Sequence, residues 1–245
     1  MGIEISEIIS NEQNTPSAWV MRIKAPASLK TFKAGQFGNF YLCPEGTDTN
    51  NISNYIYARP FSFASAPNNE YIEIGYKIAG QFTQRLKTLK PKDKIGVKGP
   101  YGVFTFDEQA DGDVVMLAAG IGIAPFLSTL RYATERGLPN YFTLFYSNKT
   151  KDEVAYFEEL EKLKTENPNI KLFYTLTREK ADGFDNGRIN ADYLNASLVR
   201  GQFATSVFYI CGGHEFIEAM IKLLSELGVD PKRIKKEDFG KLPDG

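Results

Sequence analysis

Read from its residues alone, the chain divides into two domains: an antiparallel β-barrel carrying one short helix, then an α/β domain built on a parallel sheet. Three observations carry that reading. A length of 245 residues accommodates two compact domains, each with its own core. The first hundred residues fall into short alternating runs separated by turn residues, as half-buried strands do. Beyond a polar, acidic stretch at 107–113, apolar runs alternate with amphipathic ones, the pattern of parallel strands joined by crossover helices.

Taken in order, AWVMRIK at 18–24 sets Trp19, Met21 and Ile23 against Ala18, Val20, Arg22 and Lys24. YIEIGYKI at 71–78 puts Ile72, Ile74, Tyr76 and Ile78 on one face and Tyr71, Glu73, Gly75 and Lys77 on the other. In GQFTQRLKTL, 80–89, Phe82, Leu86 and Leu89 recur at helical spacing behind a glycine, so one helix interrupts the strands. DEQADGD reads as a linker, giving domains 1–107 and 113–245. VVMLAAG, YFTLFYS, IKLFYTLT and SVFYICG follow as buried strands, with helical patterns at 123–136, 153–163 and 214–227 and a less regular one at 191–198.

Composition narrows the function. With 29 basic and 30 acidic residues, the net charge of -1 supplies no field that would gather nucleic acid or anionic membrane. Two cysteines, Cys43 and Cys211, are too few for a disulfide framework, an iron–sulfur cluster or a structural zinc, and fit a reduced, cytoplasmic setting. No metal site is expected. The start, MGIEISEIIS, lacks a basic segment leading into an apolar core, and apolar runs fall short of the roughly 18 residues of a membrane span.

Two stretches invite ligands. In YARPFSFASAP, 57–67, the charged Arg59 abuts Pro60 and a run alternating rings with small hydroxyl-bearing residues; the pattern gives its guanidinium no partner, so one outside the chain is expected. In LAAGIGIAPF, 117–126, a strand ends, Gly120 and Gly122 follow, and Ile123, Ala124 and Pro125 open a helix. Glycines allow close backbone approach, and the free amides of a helix start suit a pyrophosphate. A plain packing turn gives the same pattern, and the third glycine of the usual fingerprint is absent. Gly212 and Gly213 end the last strand at the carboxyl edge, where open α/β sheets bind ligands. Cys211 before them serves equally as a small buried apolar residue. His214, the only histidine, opens an amphipathic helix without partners for a triad or a metal, and reads as structural or exposed.

ARPFSFAS, IGYKIAGQFT and GPYGVF, followed by AAGIGIAPF, TLTRE, YICGG and a late KKEDF, resemble in order and spacing the ferredoxin–NADP reductase superfamily, over residues 1 to about 240. That resemblance implies a flavin-binding barrel and a Rossmann-like NAD(P)-binding domain. It implies that Arg59 faces the FAD pyrophosphate behind Pro60, Phe61 flanks the flavin, and Ser62 donates near flavin N5. It lays the backbone of the 74–78 strand along the flavin ring and ribityl chain, with Tyr76 and Lys77 as contacts, although Lys77 is also where alternation leaves a solvated lysine. Gly80, Gln81, Phe82 and Thr83 meet the pyrophosphate at a helix start. In the second domain it assigns Gly120, Gly122, Ile123, Ala124, Pro125, Gly212 and Gly213 to NAD(P)H, with Thr177 and Arg178 at the adenosine ribose or its 2'-phosphate and Lys149 and Lys180 assisting. NADPH and NADH both stay open. Cys211 lies beside the nicotinamide, Glu237 close by, and Phe239 covers the flavin; six residues follow Phe239, where plant-type members end on the aromatic. Ser62, Cys211 and Glu237 are the residues expected at the reacting centre.

The activity so implied is hydride transfer from NAD(P)H to FAD and passage of electrons to a separate acceptor: ferredoxin, flavodoxin, a haem protein or an oxygenase component. Two alternatives remain: a reductase using free flavin as a diffusible substrate, and a non-catalytic electron-conduit component of a larger complex.

Overall fold

The computed structural model describes residues 2–109, 111–198 and 201–238. The first sheet is formed by β1 (Glu4–Gln13), β2 (Ala18–Lys24), β3 (Phe37–Leu42), β4 (Tyr57–Ser62), β5 (Tyr71–Lys77) and β6 (Lys94–Tyr101), with α1 (Gln81–Thr88) between the last two. Its order is β4-β3-β6-β1-β2-β5 and every pair is antiparallel. A bridge between Phe63 and Ile74 brings the two edges together and closes the barrel. Met21, Ile23, Phe40, Phe63, Ile72, Ile74 and Tyr76 fill the interior, and Leu86 of α1 joins the same cluster.

The second domain comprises β7 (Val114–Ala119), α2 (Ala124–Arg136), β8 (Phe142–Asn148), α3 (Phe157–Glu166), β9 (Ile170–Leu176), β10 (Asp185–Asn186), α4 (Ala191–Ser197), α5 (Gln202–Thr205), β11 (Val207–Gly212), α6 (His214–Glu226) and β12 (Ile234–Asp238). Its strands run parallel in the order β10-β9-β8-β7-β11-β12. Both faces are covered, which is why its strands read as unbroken apolar runs. Along β7, Val114, Met116 and Ala118 enter one cluster with α2 and α3, while Val115 and Leu117 enter another with α4 and α6.

The two domains pack directly. Ala64, Phe104 and Phe106, from the barrel side, lie in the cluster beneath α2; burying each phenylalanine contributes roughly 2 kcal/mol. This contact corrects the expected polar face of β5: Glu73 is fully buried and Gly75 has no room for a side chain, because Ile121 and Tyr156 of the second domain press on that face. Period-two alternation marks which residues face the barrel interior, and it is blind to a second domain covering the outside. The acidic stretch is likewise anchored: buried Asp111 accepts from Lys235 at 2.9 Å and from the Tyr209 hydroxyl.

Candidate functional site

On the barrel, β4 lies at the sheet edge, where Pro60 costs little ladder bonding. Arg59 is half-buried, donates Nη1 to the neighbouring Ala58 carbonyl at 2.9 Å and rests 5.9 Å over the Phe82 ring. No carboxylate pairs with it among the described residues. Phe61 contacts Phe40, Tyr76 and Phe82 with centroids about 6 Å apart, so its ring is held in place from three sides. Gly80 precedes α1 with a positive φ of 154°, and a side chain there would meet nothing within 4 Å, leaving the helix start open. Thr83 closes that turn, accepting from the Ala79 amide at 2.8 Å and donating to the Gly80 carbonyl at 3.1 Å. Gln81 beside it is exposed.

On the α/β side, the strand order reverses between β7 and β11, which sets a crevice at their carboxyl ends. Gly120 leaves β7 with φ +53, its carbonyl accepting from the Tyr146 hydroxyl at 2.8 Å, and Ile123, Ala124 and Pro125 turn the chain into α2. Gly122 is a packing necessity: a Cβ would lie 2.4 Å from the Cys211 carbonyl oxygen. Gly213 opens α6 into free space. Thr177 and Arg178 follow β9, both exposed, their amides donating to the Asn148 and Lys149 carbonyls at 2.9 Å. Asn148, at the carboxyl end of β8, is buried with neither end of its carboxamide hydrogen-bonded, an arrangement that a buried amide tolerates poorly without a further partner.

The two halves meet. Ser62 Oγ donates to Glu237 Oε2 at 3.3 Å across the domain junction, and Glu237 on β12 is the register partner of Cys211 on β11. Burial pushes the Glu237 carboxyl up to about 7, against the opposing pull of the Ser62 hydrogen bond. Cys211 is completely buried, and burial followed by the nearby Glu237 and Asp238 charges drives its thiol well above the ordinary range, so it stays protonated and unreactive. Lys77 also bridges the junction, 3.4 Å from Glu153, its Nζ facing the Gly120 turn.

Tyr76 lies on the interior face, as its alternation with Ile72 and Ile74 implies. Its ring is buried in the barrel with the hydroxyl donating to Asn11 at 2.8 Å, so only its backbone can face a ligand. Phe239 lies outside the described residues. His214 is exposed between Asp238, at 2.7 Å, and Glu218, at 3.3 Å, and the Asp238 hydrogen bond draws its pKa upward. Lys149 and Lys180 form no ion pair among the described residues, and no cluster of three metal-ligating side chains occurs among them. Sequence reasoning missed Asn148 and Glu153, which carry no motif: Asn148 is placed as the last residue of β8 and Glu153 by the 3-10 turn that follows it.

The fold and this junction define a two-domain scaffold with a crevice at the carboxyl edge of its parallel sheet. Residues 116–222 match the model of the oxidoreductase NAD-binding domain. The chain is 29% identical over 220 residues to a flavohemoprotein of Bacillus subtilis, covering 86% of this chain and 52% of that protein. It is 28% identical over 243 residues to one component of the Na(+)-translocating NADH-quinone reductase of Neisseria meningitidis, covering 90% and 59%. Thus it spans little more than half the length of the curated relatives it matches. Among solved structures, a ferredoxin NADP+ reductase from Neisseria gonorrhoeae, with bound FAD and NADP, superposes with a TM-score of 0.82 at 22% identity, covering 98% of this chain and all of that one. The FAD/NAD-binding domain of nitric oxide dioxygenase from Vibrio cholerae gives 0.83 at 23%, covering 96% and 98%. The chain thus carries a match to the oxidoreductase NAD-binding domain over residues 116–222 and shares the two-domain fold of the ferredoxin NADP+ reductase and the FAD/NAD-binding domain it superposes on.

Proposed function

We propose that the chain, through a barrel of residues 1–107 and an α/β domain of residues 113–245, takes a hydride from NAD(P)H onto bound FAD and passes electrons to a separate one-electron acceptor. The observation that carries this is the Ser62–Glu237 hydrogen bond, which brings the ARPFS strand against the carboxyl edge of the parallel sheet.

The residues present fit both groups. Arg59, with no acidic partner among the described residues, suits a pyrophosphate; Gly80, Gln81, Phe82 and Thr83 offer an open helix start beside it, and Pro60, Phe61, Lys77 and the Tyr76 backbone line the way to Ser62. Gly120, Gly122, Ile123, Ala124, Pro125, Gly212 and Gly213 would hold the nicotinamide nucleotide, with Thr177 and Arg178 toward its adenosine end and the orphaned Asn148 amide nearby. When bound, flavin supplies the conversion of a two-electron donor into single electrons.

The chain's own work is orientation and proton holding. Ser62 Oγ directs a donor or acceptor into the junction, and Glu237, half-protonated near neutral pH, holds a proton at its carboxyl within reach of that oxygen. Cys211 shapes the crevice by bulk and excludes water without attacking anything. Ferredoxin, flavodoxin, a haem protein or an oxygenase component is the acceptor class. Two buried, free thiols fit a cytoplasmic setting; among the described residues no helix is long and apolar enough to cross a membrane.

Gel filtration of the purified protein followed by NAD(P)H-dependent ferricyanide reduction tests the reading. Retained yellow colour with turnover is the expected result. Loss of all flavin with reduction of added riboflavin indicates a flavin reductase instead, and retained flavin without turnover indicates an electron conduit within a larger complex.

A further inference from the structure

Arg131 lies on α2 about two and a half turns beyond the Gly122 turn. Its side chain is 7% exposed. Nη1 donates to Glu73 Oε1 on β5 at 2.8 Å and to the Ala64 carbonyl, two residues past Ser62, at 2.7 Å. Nε and Nη2 grip both oxygens of Glu159 on α3 at 2.6 and 2.7 Å. Glu73 in turn accepts from Arg22 on β2 at 2.6 Å. One turn before Arg131, Ser128 donates to the Ser65 carbonyl at 2.7 Å.

We infer that Arg131 is a positioning residue that fixes the angle between the two domains, and with it the register of the nucleotide turn over Ser62. The inference rests on the hydride-transfer reading above. Adhesion between the domains comes from Phe104, Phe106 and Ala64, and apolar burial is non-directional, so it tolerates rotation. Arg131 and Glu73 form a buried ion pair flanked by the partly exposed Glu159 and Arg22, and such a pair adds little net stability over a well-packed apolar replacement. What it adds is geometry: two bonds to Glu159 lock the planar fork against α3, and the two from Nη1 to Glu73 and the Ala64 carbonyl then set the orientation of α2 against β5 and the Ser62 segment. α2 starts at the Gly120–Ile123 turn, so rotating the helix displaces that turn from Ser62.

The test compares wild type with Arg131→Met, Arg131→Lys and the double variant Arg131→Gln/Glu73→Gln, which is the one read should the single variants not fold. Flavin content and nucleotide affinity are expected to stay within about twofold, while the rate of flavin reduction at saturating nucleotide falls about 10- to 100-fold, the cost of a misplacement near 1 Å. Arg131→Lys is expected to recover little, because an ammonium cannot reproduce the fork. Independently of turnover, spin labels at Lys90→Cys and Lys222→Cys, both exposed sites, are expected to give a broader distance distribution in the Arg131 variants. A folded variant with an unchanged distribution and an unchanged limiting rate overturns the inference, as does a loss confined to KM. If wild-type protein is itself not reduced by either nucleotide, the functional reading falls, and the distance distribution alone decides the role of Arg131.

Discussion

Ser62 and Glu237 share a hydrogen bond across a junction where one is a neutral hydroxyl and the other a carboxyl lifted to about 7. Ser62→Ala is expected to slow flavin reduction about tenfold or more while changing flavin affinity little, read by stopped-flow rate against flavin titration. For Glu237 the folded state holds a proton that the unfolded chain releases near 4.5, so the resulting stabilisation is full below 4.5 and is lost as pH rises through about 7. The unfolding free energy of wild type minus that of Glu237→Gln is therefore expected to fall between pH 5 and 8 in denaturant titrations; a difference independent of pH contradicts the assignment. On the proposed pairing of Arg59 with the flavin pyrophosphate, a charge-assisted contact of about 1.5–3 kcal/mol, Arg59→Ala is expected to lower flavin affinity roughly 10- to 100-fold by fluorescence titration. Arg59 stood out in the sequence because a charge amid an apolar alternation is anomalous, whereas the roles proposed for Phe61 and Ser62 came from the family resemblance. Glu73 was not, because a charge on the polar face of a strand is ordinary until another domain covers it. The Tyr76 ring was legible as core from its alternation with Ile72 and Ile74.

Strands and helices with one buried face announced themselves by period, and those whose burial comes from elsewhere did not. The pattern at 123–136 became α2 at Ala124–Arg136, and 214–227 became α6 at His214–Glu226. The helical pattern at 153–163 begins later, at Phe157, because Lys151–Glu153 forms a separate 3-10 turn and Tyr156 takes a left-handed φ of 60°. β12, IKKED, has no apolar alternation and exists as a strand by pairing with β11 in register from Phe208–Ile234 to Gly212–Asp238. That pairing is what delivers Glu237 to Ser62. The turn after β7 depends on close packing against β11, so Gly122→Ala, forcing a Cβ onto the Cys211 and Gly212 backbone, is expected to cost about 1–3 kcal/mol and weaken nucleotide binding, measured by thermal melt and titration. Gly213→Ala, facing open space at an ordinary φ of −72°, is expected to leave stability within about 0.5 kcal/mol.

A barrel and a doubly covered sheet are joined by apolar contacts and by the buried Arg131–Glu73 ion pair, and the edges proposed to hold flavin and nucleotide meet along that line. That convergence was out of reach of periodicity, which describes one element at a time; it entered through the order of motifs along the chain. Anaerobic stopped-flow mixing of flavin-loaded protein with NADH and, in parallel, NADPH tests it most directly. Rapid bleaching of the flavin by at least one nucleotide, saturating with its concentration, is the expected result; flavin that stays oxidised with both, in protein that binds them, contradicts it.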